Sequence, residues 1–228
     1  MNRLPTKLRT AVEYLTIVPE AHTRIFDLEL QWKLYEVFHT TAITRIGHLL
    51  GTPVILMGAL LLAASVPLGP VDLGLVFIAI LGLWYITVDR LVGVLLSALL
   101  LGAWLAVARE GFATPALGGL LVVAGTGVQT LSHLGEPLPP PWSGTRGWRS
   151  LGELWRTAPR WRFLALPGLF VCSVFLELWA APRVFPYEGL YLLSHFGYRS
   201  DERERLLQER ERIFADCSRG WRSEATRQ

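Results

Sequence analysis

An all-α, polytopic membrane helix bundle is the fold class this sequence predicts, and two observations carry the prediction. The first is charge depletion. From Leu49 to Ser132, 84 residues, the only charged side chains are Asp72, Asp89, Arg90, Arg109 and Glu110. A soluble domain needs several times that number to keep its surface wetted. The second is segment length: the depleted region divides into apolar runs close to the roughly 17 to 25 residues of a bilayer span. Backbone amides in lipid find partners only in one another, so these runs are expected as helices. At 228 residues and 51% hydrophobic content, the chain is about the size of one domain.

The elements follow in order. No short apolar core follows the first basic residues, so the opening segment is not expected to be a cleaved signal peptide. Leu28, Trp32, Tyr35 and His39 fall on one helical stripe, spaced 4, 3 and 4. Such a stripe suits a helix lying on the membrane face and equally one packed on the bundle. Four spans are expected at Leu49–Leu68, Leu73–Val88, Leu91–Ala108 and Pro115–Ser132. Only Asp89 and Arg90 separate the second and third, which predicts a tight antiparallel hairpin. The stretch EPLPPPWSGTRGW is a proline-rich turn region. A fifth apolar segment, Phe163–Ala181, is interrupted by Pro167 and Gly168 and contains Glu177. The tail stretch RSDERERLLQERER reads as a solvated helix with pairs such as Asp201 and Arg205.

Orientation follows the Lys/Arg bias of short loops. Residues 1–48 carry six Lys/Arg and the loop 133–162 carries five Arg, while the loop between spans one and two has none. Four spans place both basic regions on one side, expected to be cytoplasmic. A crossing fifth segment would put the nine arginines after Pro182 on the opposite side, so a re-entrant or surface-lying element is expected at 163–181. The chain thus divides into N-terminal interfacial helices (1–48), a transmembrane bundle with its cytoplasmic loop (49–181) and a charged tail (182–228). The net charge of +3 comes from basic residues at the chain ends and speaks of membrane orientation, with no nucleic acid expected. Cys172 and Cys217 form neither a disulfide framework nor a CxxC metal signature. Arginine outnumbers lysine twenty to two, which fits a GC-rich bacterial genome, and hence an inner membrane rather than an endoplasmic reticulum.

Three of the five histidines gather at the predicted cytoplasmic face, each at the border of an element: His39, His48 and His133. One reading is a shared metal; the other is three ordinary interfacial side chains. His39 and His48 are nine residues apart, which on one straight helix is two and a half turns and ~13 Å of rise. They share an ion only if the chain bends between them. Thr40, Thr41, Thr44 and Gly47 make that stretch a weak helix. Gln129, one turn before His133, is placed to hold its imidazole. His22 and His195 read as surface histidines.

The stretch HTTAITRIGHLLGTP resembles the signature of the Mpo1-like family of membrane 2-hydroxy fatty acid dioxygenases, through His39, Thr44, His48, Gly51 and Pro53. Thr44 stands where that family carries asparagine. Three further elements occur in the family's order: Tyr85, Asp89 and Gly93 in YITVDRLVG; Gln129, His133, Glu136 and Pro137; and an apolar segment with one internal acid, Glu177. The resemblance spans Tyr35 to Trp179. It implies an Fe(2+) enzyme that uses O2 to shorten a 2-hydroxy fatty acid by one carbon, releasing CO2, with membrane lipid around it. His39, His48 and His133 are then the metal ligands. Imidazole suits iron, and a site with few protein ligands leaves positions open. A carboxylate to complete the shell is sought first in Asp89, otherwise a turn residue paired to Arg90. Glu136 either assists or caps a turn. Glu177 is costly to bury and so a functional candidate, or else a partner for a backbone break near Pro167. Arg146, Arg149 and Arg156 would attract the substrate carboxylate or contact phospholipid. Two rivals stand beside this reading: a small transporter or channel, and a non-catalytic scaffold with structural histidines.

Overall fold

The computed structural model describes residues 25–110, 114–136 and 162–210. Calls on His22, Cys217 and the arginines at 146, 149 and 156 fall outside the described residues. Helix α1, Leu28–Phe38, begins where the Asp27 side chain accepts from the Leu30 amide at 2.9 Å. Helix α2, Ala42–Ala64, is N-capped by Thr41, whose hydroxyl accepts from the Thr44 amide at 3.2 Å. A two-residue hairpin follows, β1 (Pro67–Leu68) against β2 (Val71–Asp72), turning at Gly69 with a left-handed φ of 74°. Asp72 then caps α3, Leu73–Val88, and also accepts from the Trp104 indole.

Helix α4, Arg90–Glu110, turns back along α3 as the hairpin expectation requires. Gly93 makes the turn possible: it lies directly on the backbone of Tyr85 and Ile86, where any Cβ would collide. Helix α5, Pro115–Ser132, has proline at its start, where no amide partner is needed, and ends in a 3-10 turn, His133–Gly135.

Helices α2 (Ala42–Ala64), α4 (to Val107) and α5 with its 3-10 turn are long and apolar enough to cross a membrane; α3, of 16 residues, is shorter. Their outward faces carry exposed Ile80, Leu83, Val94 and Leu99, as lipid-facing helices do.

The seam between α2 and α5 is closed by glycines. Gly51 packs on Gln129 and the Gly125 carbonyl, and Gly58 packs on the Gly118 carbonyl. Small residues let two helix backbones approach this closely. The seam sets His48 and His133 side by side.

The stripe on α1 takes the second of its two readings and packs on the bundle: Trp32, Tyr35 and His39 are all buried. One expectation changes. The segment expected to re-enter or lie on the surface at 163–181 is part of one continuous helix, α6, Arg162–Ser194, which runs through Pro167, Pro182 and Pro186. Residues 182–194 accordingly belong to the packed bundle, with Phe185, Tyr187 and Leu190 in its core. Of the tail, residues 200–210 are helical. That helix is not wholly solvated, because Leu206 is fully buried and Arg203 meets Glu36 at 3.3 Å.

Candidate metal centre

The bend that a shared ion would require is present. Helix α1 stops at Phe38, His39 leaves it in a non-helical conformation, and α2 starts only at Ala42. Glu136 holds the break from across the bundle. It accepts from the Thr40 hydroxyl at 2.6 Å and from the Thr41 amide at 2.8 Å. Thr44 supplies a second tie, donating to the Ser132 carbonyl at 2.9 Å, immediately before His133. Thr44 thus anchors the third histidine.

These ties bring three side chains together. His39 Nε2 lies 3.1 Å from His48 Nε2, which lies 2.7 Å from His133 Nε2. The ring centroids are 4.2, 5.0 and 4.8 Å apart and the rings stand at steep angles, so edges rather than faces converge. All three are buried.

The outer nitrogens decide what the inner ones can do. His39 Nδ1 faces the Tyr35 carbonyl at 2.7 Å, and His48 Nδ1 faces Glu188 Oε1 at 3.0 Å. Both partners are acceptors, so both Nδ1 atoms carry the hydrogen and both Nε2 atoms present lone pairs. Two lone pairs at 3.1 Å repel unless a cation lies between them. His133 can donate to His48 but fills nothing between His39 and His48. A proton is disfavoured there: burial, then the neighbouring His48 and His133, push the His39 pKa well below its usual value.

A metal ion fits instead. Two nitrogens about 2.0–2.1 Å from one ion and at right angles lie about 3 Å apart. These three histidines form a group able to hold a metal ion, their ligand atoms all within 4.8 Å of one another. The ion's identity is not set by this geometry.

Glu188 was not singled out in the sequence, yet it fixes the tautomer of His48 and accepts from the Thr52 hydroxyl at 2.5 Å. A signal existed. Glu177 and Glu188 are eleven residues apart, about three helical turns, hence on one face of any continuous helix. Pro182 and Pro186 hid that continuity. Carboxylates behind metal-bound imidazoles tune affinity, so Glu188→Gln is expected to weaken metal binding about 10- to 100-fold, read by competition with a chelator.

The remaining candidates divide. Gln129 does not serve His133; its amide nitrogen donates to Glu177 at 2.6 Å and its amide oxygen accepts from the Thr52 amide at 3.1 Å. Glu177 therefore lies on a buried polar line, Glu177–Gln129–Thr52–Glu188, leading to His48.

Asp89 sits apart, at the α3–α4 junction. It accepts from the Val92 amide at 3.0 Å and the Tyr198 hydroxyl at 3.1 Å, and pairs with Arg199 at 3.0 Å rather than with Arg90. Its contacts tie the segment after α6 to the bundle. His195 is exposed.

Glu136 carries its own pH signature. Burial alone raises its pKa, but hydrogen bonds from Thr40, Thr41 and Thr44 outweigh this and leave it below the usual carboxylate range. A depressed folded pKa stabilises above the unfolded value of about 4.3 and loses that contribution as pH falls through the folded value. Glu136→Gln is expected to lower stability at neutral pH by about 1–3 kcal/mol, with the difference from wild type shrinking in acid, as read by thermal unfolding in detergent.

Comparisons with protein-family models, with curated proteins and with solved structures give no match.

Proposed function

We propose that this chain is an Fe(2+)-dependent membrane dioxygenase that shortens a 2-hydroxy fatty acid by one carbon. The substrate and one O2 become the shorter fatty acid, CO2 and water, which balances in carbon, hydrogen and oxygen. The observation that carries the reading is the convergence of three histidine Nε2 atoms beside exposed apolar side chains. Ile43, Ile46 and Leu50 form an exposed apolar stripe on the first turns of α2, and exposed Leu131 and Leu134 flank His133. An acyl chain lying between helices would place its head at the histidines.

The resemblance supplies the reaction, and three of its elements meet or adjoin in space. His39, His48 and His133 would hold the iron, leaving positions open. The chemistry an iron(II) ion supplies there is one-electron reactivity toward O2 together with chelation of the substrate head. The protein's own part is to present three neutral imidazoles, hold His48 through Glu188, and keep the centre dry.

The topology we propose is four crossings, α2 to α5, with the centre on the cytoplasmic face of a bacterial inner membrane. The start of α2 and the end of α5 adjoin at His48 and His133, which requires an even number of crossings between them.

The test is protein purified in detergent, loaded with iron without oxygen, then given O2 and a 2-hydroxy fatty acid. The expected result is stoichiometric iron and one CO2 per shortened acid. Absence of both CO2 and shortened acid across a range of chain lengths would overturn the reading. A channel is the second reading, favoured by the buried line from Glu177 to Glu188; liposome flux without O2 consumption would support it.

A further inference from the structure

Beside the histidines lie buried polar atoms that the fold leaves without hydrogen bonds. The hydroxyls of Tyr35 and Tyr85, Nη1 of Arg45 and Oε2 of Glu188 find no partner among the described residues. All four residues are at least nine-tenths buried. A buried hydroxyl left unpaired costs about 1–3 kcal/mol, so four such atoms call for an explanation.

They come from four different helices. Tyr35 lies on α1 and stacks on His39, ring centroids 4.2 Å apart. Arg45 lies on α2, one turn before His48. Its other nitrogen, Nη2, is held by Glu36 at 2.6 Å, and its guanidinium rests on the Tyr191 ring. Tyr85 lies on α3 and belongs to the same core cluster as Tyr35. Glu188 lies on α6, its other oxygen engaged by His48 and Thr52. The Glu188 carboxylate acts electrostatically on both phenols, and the Arg45 guanidinium acts on Tyr35. Tyr35, Tyr85 and Arg45 thus leave three donors, and Glu188 one carboxyl oxygen, without a partner on helices that carry or adjoin the histidines.

We propose that Tyr35 and Tyr85, with Arg45 behind them, receive the carboxylate of a 2-hydroxy acid, and that Glu188 Oε2 accepts the hydrogen of its 2-hydroxyl. Donors for the carboxylate and an acceptor for the hydroxyl match the head of that ligand group by group. Plain fatty acids satisfy only the donors and leave Glu188 unpaired. The inference rests on the dioxygenase reading for its choice of ligand and adds the residues that recognise it. Tyr35 and Tyr85 act as binding residues; Glu188 also positions His48.

The experiment is binding, measured without oxygen by tryptophan fluorescence of the full iron-loaded chain in detergent, with 2-hydroxypalmitate and palmitate as probes. Wild type is expected to bind 2-hydroxypalmitate more tightly than palmitate. Tyr35→Phe and Tyr85→Phe are each expected to raise the dissociation constant for 2-hydroxypalmitate about 10-fold or more, with iron content and thermal midpoint retained. Unchanged affinity in both variants overturns the tyrosine assignment, and equal affinity of wild type for the two acids overturns the role of Glu188. Turnover by wild type under O2, run in parallel, separates the two ideas. Turnover with unaltered variants sinks only the inference. Weakened binding in the variants without wild-type turnover sinks only the dioxygenase reading. No binding by wild type sinks both.

Discussion

Replacing His48 with alanine is expected to reduce bound metal from stoichiometric to background while the protein remains folded. His48 is the middle imidazole: its Nε2 is 3.1 Å from that of His39 and 2.7 Å from that of His133. Removing it leaves two nitrogens without the one that links them, and too few ligands for a stable site. The same change frees Glu188, which loses its imidazole partner but keeps the Thr52 hydroxyl. It also relieves the repulsion between facing lone pairs, so the metal-free variant is expected to unfold at a temperature no lower than the metal-free wild type. The measurement is metal content of purified protein together with thermal unfolding of chelator-treated samples. Full metal retention in His48→Ala would show that the three imidazoles do not share an ion.

The second large effect is expected at the glycine seam. At Gly125 a Cβ would lie 2.6 Å from Ile55 Cγ1 and 2.8 Å from the Gly51 carbonyl oxygen, and a backbone atom does not swing aside. Gly125→Leu must push α5 away from α2. Overpacking a tight interface costs about 1–3 kcal/mol and at times more, and a backbone collision places this case at the upper end. Function suffers further, because His48 and His133 ride on those two helices. Metal is expected to be lost even from protein that survives purification. Gly127→Leu, two residues along, is the control: nothing lies within 4 Å of a Cβ there, so both metal and stability should be retained.

The candidate site was half legible. His39, His48 and His133 were picked out because each stands at the border of an apolar run, and a common border becomes a common depth once the number of crossings is even. Glu188 was not, because the apolar run ends at Ala181, before Pro182, whereas the helix continues to Ser194. Proline removes an amide donor and crowds the preceding turn, a local cost that packing of Phe185, Tyr187 and Leu190 in the core offsets. Asp89 drew attention as an isolated charge at a span junction. Its partners, Tyr198 and Arg199, lie more than a hundred residues further along, and no local pattern names a partner at that range.

The sequence by itself determined the apolar helices and the hairpin at Asp89. These depend on groups within a few residues of one another and on the solvent each segment tolerates. Tertiary structure alone decided which faces meet: that the stripe on α1 turns inward, that the chain breaks at His39 and is held there by Glu136, and that Glu188 backs His48. In lipid every outward face is equally apolar, so hydropathy cannot rank the faces. Close glycine contacts and the pairing of buried polar groups do, and both exist only when distant segments pack.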